Sequence, residues 1–406
     1  MSTIRKLSAI AFGIHSADQI ALVSVPLVAA LTFDASAKTI GILVACQSLA
    51  HLTGSIPFGM LVDRTQKRNL MITAAMISIC GFLCAAISIH FDGLIWFGAS
   101  ITLSGFGVVL FTLTILSILP ETVPPAKLAN ANSKVEIPRA ICSFLVPLTI
   151  GLIITGVSME WIFIFAAVGG VLALSFSVTL PNFSIGQHQR ESLIPQIVKG
   201  GAYVMRHRLL LPISLCAILW NLAFAALLVV LVPTIQAVYH FDPGAFGIAL
   251  SAFGLAAIAG SWFAGKIADQ IAPSIILLFG PGSSLVAAIG MKSIGTNSSE
   301  YLLYACFFLL GFGPSMWLIT QNSVRQLVTP SSILGRVNAV IQTSIYGVRP
   351  FGALAGGVIV GNYGPESGIA FILAAFAASF CVSLFSPLRS VKNYQTLEIT
   401  NATNLA

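Results

Sequence analysis

Runs of twenty or more predominantly apolar residues follow one another from the first helical turns of this chain almost to its end. About 20 such residues span the ~30 Å hydrocarbon core of a bilayer. Backbone polar groups inside lipid must be satisfied within the segment, so each run is expected to be a helix. The expected spans are 8–32, 38–62, 69–90, 94–119, 131–156 and 161–181, then 209–236, 244–268, 273–295, 301–324, 336–360 and 366–387. Only 8% of the residues are charged, against about 25% in a soluble domain. The surface must therefore face lipid. The expected fold class is an all-α membrane protein, with twelve transmembrane helices in two six-helix bundles.

The net charge of +7 does not point to nucleic acid, because the basic residues sit in short loops between apolar runs. With the N-terminus inside, Lys38 and Lys292 fall on the outer side and Arg139 and Arg349 fall within spans. The remaining lysines and arginines fall on the cytoplasmic side. This is the positive-inside bias, and the inverted topology would reverse it. The seven cysteines all lie in apolar segments, which suits reduced packing residues rather than a disulfide or metal framework.

One long polar stretch, 182–208, divides six spans from six. The expected organisation is an N-terminal bundle over 1–181, a cytoplasmic linker over 182–208, a C-terminal bundle over 209–388 and a cytoplasmic tail over 389–406. Within the linker, SLIPQIVKGGAYVMRHR has apolar spacing suited to a short interfacial helix. Its first half reads equally well as a flexible connection.

The two halves align at a constant offset of 206 residues. The identities include Gly41/Gly247, Leu49/Leu255, Gly54/Gly260, Ser55/Ser261, Gly59/Gly265 and Asp63/Asp269. The same offset pairs Gly105-Phe106-Gly107 with Gly311-Phe312-Gly313, and Pro124 and Asn132 with Pro330 and Asn338. Each half holds an even number of spans, so the halves share one orientation. That is a parallel repeat about an axis along the membrane normal, an architecture of secondary transporters. Gly260 to Lys266 imitates a phosphate-binding loop, but Ile267 stands where Ser or Thr is needed and the segment lies in an apolar helix. ATP is therefore not expected as a partner, no cofactor is implied, and a proton gradient is the expected drive.

These features resemble the major facilitator superfamily over essentially the whole chain. Gly59-Met-Leu-Val-Asp63-Arg64-Thr-Gln-Lys67-Arg68 looks like its signature between the second and third helices, with Gln66 where the family usually has glycine. Gly265-Lys-Ile-Ala-Asp269 looks like the shortened second copy. By this resemblance Gly59, Asp63, Arg64, Lys67, Arg68, Gly265 and Asp269 form a gating motif. Three further segments look like the drug-exporter branch that includes macrolide efflux proteins and the enterobactin exporter. They are Val198 to Arg208, Pro330 to Asn338, and Gly347 to Gly357.

Ionisable groups within spans cost about 2.5–3.5 kcal/mol each on insertion scales and are functional candidates by default. Asp18, Glu136, Arg139 and Arg349 stand clear of the expected span ends. Asp18 reads either as a structural hydrogen-bonded acid or as a proton carrier. Glu136 and Arg139, spaced i,i+3, read as a local ion pair or as part of the coupling path. Arg349 either neutralises a buried acid or binds an anionic substrate group. It shares a face with Gln342 and Tyr346, and Gln47 shares one with His51. His15 flanks Asp18, and Trp220, Asn221 and Phe224 form a further aromatic and polar group. His15, Gln47, His51, Trp220, Asn221, Gln342, Tyr346 and Arg349 are the substrate-cavity candidates.

The expectation is a multi-pass protein of the bacterial inner membrane with both termini cytoplasmic and no enzymatic activity. Its partners are expected to be a small-molecule substrate and membrane lipid, without nucleic acid. The expected task is proton-coupled export of a neutral or anionic amphipathic molecule, drug-like or a siderophore. Import of a nutrient or metal–siderophore complex is the nearest alternative, and a non-transporting membrane sensor is the alternative of a different class.

Overall fold

A computed structural model describes residues 2–123, 128–154, 156–183, 193–267, 270–296 and 298–393. Thirteen helices are present among them. The first half supplies α1 (Thr3–Leu31), α2 (Ala37–Arg64), α3 (Lys67–His90), α4 (Leu94–Thr122), α5 (Leu128–Ile153) and α6 (Met159–Ser177). A short helix, α7 (Leu193–Arg206), follows in the linker. The second half supplies α8 (Leu210–Thr234), α9 (Gly244–Ile267), α10 (Pro273–Lys292), α11 (Glu300–Val328), α12 (Ser331–Tyr363) and α13 (Pro365–Phe385). Eleven helices are long and apolar enough to cross a membrane among the described residues. The remaining long helix is α2, at 28 residues. The protein is thus a twelve-span, all-helical membrane protein.

Local chemistry sets several helix ends. Ser36 accepts a hydrogen bond from the Thr39 amide at the start of α2 (3.3 Å), and Ser299 accepts from the Tyr301 amide at the start of α11 (3.4 Å). These are N-cap contacts that satisfy otherwise orphaned donors. Gly364, at φ 83°, turns the chain between α12 and α13. A side chain there would be strained, and Pro365 then opens α13 with its ring preset for a first turn. Residues 63–68, expected to lie between two spans, are mostly helix: only Thr65 and Gln66 separate α2 from α3.

The described chain divides into two compact units. Unit 1 comprises Met1–Gln189, Leu231–Gln236 and Phe241–Ser251. Unit 2 comprises Arg190–Val230, Ala237–His240 and Ala252–Ala406. In unit 1, α1 packs on α5 and α6, α3 on α4 and α6, and α2 on α4. Its core gathers Leu7, Ile10, Leu70, Phe111, Ile118 and Ala173. In unit 2, α10 packs on α11 and α13, and α12 on α13 and α7. Its core gathers Val204, Ile213, Leu277, Trp317, Val324 and Ile341. Lipid is as apolar as these side chains, so close packing and polar contacts, not transfer from water, hold the bundles.

The 206-residue offset is a repeat of contacts. A Cβ at Gly105 of α4 would meet the carbonyl of Gln47 and the methyl of Ala50 on α2. One at Gly311 of α11 would meet the carbonyl of Phe253 and the methyl of Ala256 on α9. Each of those four partners lies 206 positions from its counterpart. Gly54 against Phe106 and Gly260 against Phe312 repeat the same relation. The first and second halves therefore use the same helix-on-helix approach, each within its own unit.

The linker helix α7 belongs to unit 2. The Tyr203 hydroxyl donates to the Val328 carbonyl (2.9 Å), and Gly200 lies against the backbone of Arg336. Val198 and Met205 remain exposed on its other side.

Candidate functional site

In unit 2, α12 carries Arg349 to a position facing α8. Its Nε donates to Oδ1 of Asn221 at 2.9 Å, and its guanidinium lies 4.9 Å from the ring centre of Tyr346. Asn221 is buried, and its Nδ2 donates to the Ala217 carbonyl one turn back (2.9 Å). That bond fixes the amide so that its oxygen accepts from the arginine. Gly352 sets the register, because its α-carbon lies against the backbone of Leu222. Among the described residues no carboxylate forms an ion pair with Arg349. Its charge is held by an amide dipole and an aromatic face, which orient the guanidinium without neutralising it.

An aromatic cluster is built on α8 from the residue next to Asn221. Trp220 stacks on Phe224 at 5.0 Å and 10°, and Phe224 meets Phe253 at 5.1 Å. The indole N–H of Trp220 donates to Ser284 Oγ at 2.9 Å, which fixes the ring on α8. Of the expected second-half residues, the structure brings together Asn221, Tyr346 and Arg349, with Trp220 next in sequence. Gln342 is exposed two turns before Arg349.

In unit 1, His15 and Asp18 are half-buried on α1, and the His15 ring meets Phe111 of α4 edge-on at 5.6 Å. Gln47 and His51 are half-buried on α2. The His51 carbonyl accepts from the Ser55 hydroxyl. Glu136 and Arg139 form an ion pair at 2.6 Å with both side chains 58% exposed. A pair so open to its surroundings contributes at most about 1 kcal/mol.

The residues expected to form a gating motif divide by their contacts. The backbones of Asp63 and Arg64 close α2, and Gly59 lies in its interior. Lys67 is buried and pairs with Glu121 of α4. Arg68 Nη2 donates to the Val178 carbonyl at 2.6 Å, and Lys6 Nζ donates to the Thr179 carbonyl at 2.6 Å. Both cations thus sit on orphaned carbonyls beyond the end of α6, where the helix dipole favours positive charge. Lys67 and Arg68 brace unit 1 internally. Gly265 lies in α9, and Asp269 lies outside the described residues. The imitation phosphate loop is helical, with Lys266 3.9 Å above the Trp262 ring.

Sequence reasoning missed two groups. Glu121 lay just past the expected end of the fourth span. Arg325 lay just past the expected end of the tenth, but α11 continues to Val328 and buries it, with Nη2 2.7 Å from Asn322 Oδ1. Gln321 shares that oxygen at 2.6 Å. Each signal was a polar residue within one turn of a span end.

Long apolar helices in two repeated halves, with isolated polar groups inside them, define a polytopic membrane transporter. The family model described as Major Facilitator Superfamily matches residues 7–353 and 213–400. This chain belongs to that superfamily. It is 24% identical over 311 residues to proteins named enterobactin exporter EntS from Escherichia coli O1:K1 and from Citrobacter koseri, over 74% of this chain and 72% of theirs. Among solved structures, a POT family transporter in complex with 5-aminolevulinic acid aligns with TM-score 0.78 at 13% identity, covering 95% of this chain and 96% of that one. Nucleoside transporter NupG aligns with TM-score 0.75 at 12% identity, over 98% and 99%. D-xylose-proton symporter aligns with TM-score 0.69 at 16% identity, over 96% and 98%. At such identities these structures speak for the fold alone.

Proposed function

We propose that this protein exports an amphipathic small molecule bearing an acidic group, in exchange for protons, by alternating access. The observation that supports this most is Arg349, a cation within a membrane span that is positioned by Asn221 and Tyr346 and paired with no acid among the described residues. An uncompensated guanidinium is costly in a membrane, and an anionic ligand would offset that cost. The stacked Trp220 and Phe224 suit the ligand's apolar or aromatic body. The relatives named enterobactin exporter favour outward movement and make a siderophore the first substrate to test. Asp18 is the proposed proton carrier, and Asp63 with Arg64 the proposed gate. The basic loops favour a bacterial inner-membrane topology with both termini cytoplasmic.

Transport of enterobactin into inside-out vesicles tests this reading. Uptake driven by an acidic lumen is expected, and Arg349→Ala should weaken binding at least tenfold. Arg349→Lys should restore only part, because the planar fork is lost. Full affinity in Arg349→Ala, or accumulation only in right-side-out vesicles, would sink the export reading.

A further inference from the structure

Unit 1 carries a groove that the transport reading leaves unused. It runs along α1, α5 and α6, is open on one side and has a volume of about 570 Å³. That lies within the ~300–1,000 Å³ common for ligand sites. Phe12, Ile141, Leu172 and Phe176 make its walls apolar, and the cations Arg5 and Lys134 stand at one end. Arg5 precedes Phe12 by seven residues on α1, and Lys134 precedes Ile141 by seven on α5. At 1.5 Å per residue, charge gives way to apolar surface over about 10 Å on both helices. Ser8 joins them, its hydroxyl donating to the Lys134 carbonyl at 2.9 Å.

Neighbouring charges are already engaged. Lys6 is held on the Thr179 carbonyl, and Glu136 is held by Arg139. Arg5 and Lys134 are exposed, and neither forms an ion pair among the described residues. Phe12 and Ile141 are exposed as well. We propose that this groove binds one anionic phospholipid of the cytoplasmic leaflet. Its phosphate sits on Arg5 and Lys134, and an acyl chain lies along Phe12, Ile141, Leu172 and Phe176. A zwitterionic headgroup would bring its own cation against these two. The site rests on the topology proposed above and is independent of the substrate and of Arg349.

The test titrates the purified full-length protein in detergent with phosphatidylglycerol or phosphatidylcholine of identical chains, read by native mass spectrometry. Each basic residue near an anionic headgroup is worth about fivefold. A preference of up to about 25-fold for phosphatidylglycerol is expected in the wild type. The double variant Arg5→Gln, Lys134→Gln should bring it close to unity. Leu172→Trp, which fills the groove, should weaken both lipids and leave Arg349-dependent substrate binding intact. Equal wild-type affinity for the two lipids would overturn the proposal without any variant. So would an undiminished preference in the double variant, or displacement of the lipid by enterobactin, which would mark the groove as a substrate path.

Discussion

Lys67, the first residue of α3, buries its ammonium against the carboxylate of Glu121 near the end of α4. Lys67 is 6% exposed and Glu121 30% exposed in their side chains. Removing one member of such a pair leaves a charge without its counterion, which costs about 3–5 kcal/mol when the pair is fully buried and less here. Glu121→Ala should lower stability by about 2–3 kcal/mol, read as a lower melting temperature of the purified protein. Combining Lys67→Met with Glu121→Leu should recover most of the loss. A double variant no better than the single would show that the pair does more than neutralise itself.

Asn221 holds Arg349 as a neutral acceptor. Asn221→Asp would place a carboxylate 2.9 Å from the guanidinium while nearly preserving shape. An acidic ligand would then compete with a fixed counterion. Its affinity should fall at least tenfold, with melting temperature unchanged or raised. Isothermal titration of the reconstituted variant decides this, and unchanged affinity would remove Arg349 from the binding reading.

Asp18 is the proposed proton carrier. Asp18→Asn should abolish substrate movement driven by a pH gradient while leaving exchange of labelled for unlabelled substrate intact. Full gradient-driven transport by the variant would shift attention to Glu136.

His207 Nδ1 accepts from the amides of Leu209 and Leu210 at the start of α8, at 3.2 and 3.3 Å. Only the neutral ring can accept there. Burial, and then the nearby Arg208, hold its pKa below the ordinary 6.5. A depressed histidine pKa means that the unfolded chain binds more protons between the two values. The stabilisation is therefore complete above about pH 6.5 and fades as pH falls from there through the folded value. The protection factors of the amides in the first turn of α8, which discount the pH dependence of intrinsic exchange, should fall below pH 6.5. His207→Asn, which retains a capping oxygen, should flatten that dependence.

The twelve spans and the repeat were legible because lipid imposes one rule on every segment. The offset that pairs Gly105 with Gly311 in sequence also pairs what they touch. Arg349, Tyr346 and Asn221 were legible because polar groups inside spans are rare. Glu121 and Arg325 were not, because helices continue past the hydrocarbon wherever backbone bonds can, as α11 does to Val328. An apolar-run boundary places such residues in a loop when they stand on a helix. The roles of Lys67 and Arg68 depend on partners 54 and 110 residues away, which no local pattern encodes.

The cations on the carbonyls beyond α6 have a consequence for biosynthesis. Lys6 is made 173 residues before Thr179, whose carbonyl is its acceptor. At ~5–20 residues per second the two are about 9–35 s apart. Until then the first helix enters the bilayer without its clasp. Once residue 179 has left the ribosome, Lys6 and Arg68 tie the first and third helices to the sixth, before most of α8 exists. Ribosome-bound chains arrested shortly after that point should already resist protease at the N-terminal rim, and chains arrested before α6 should not.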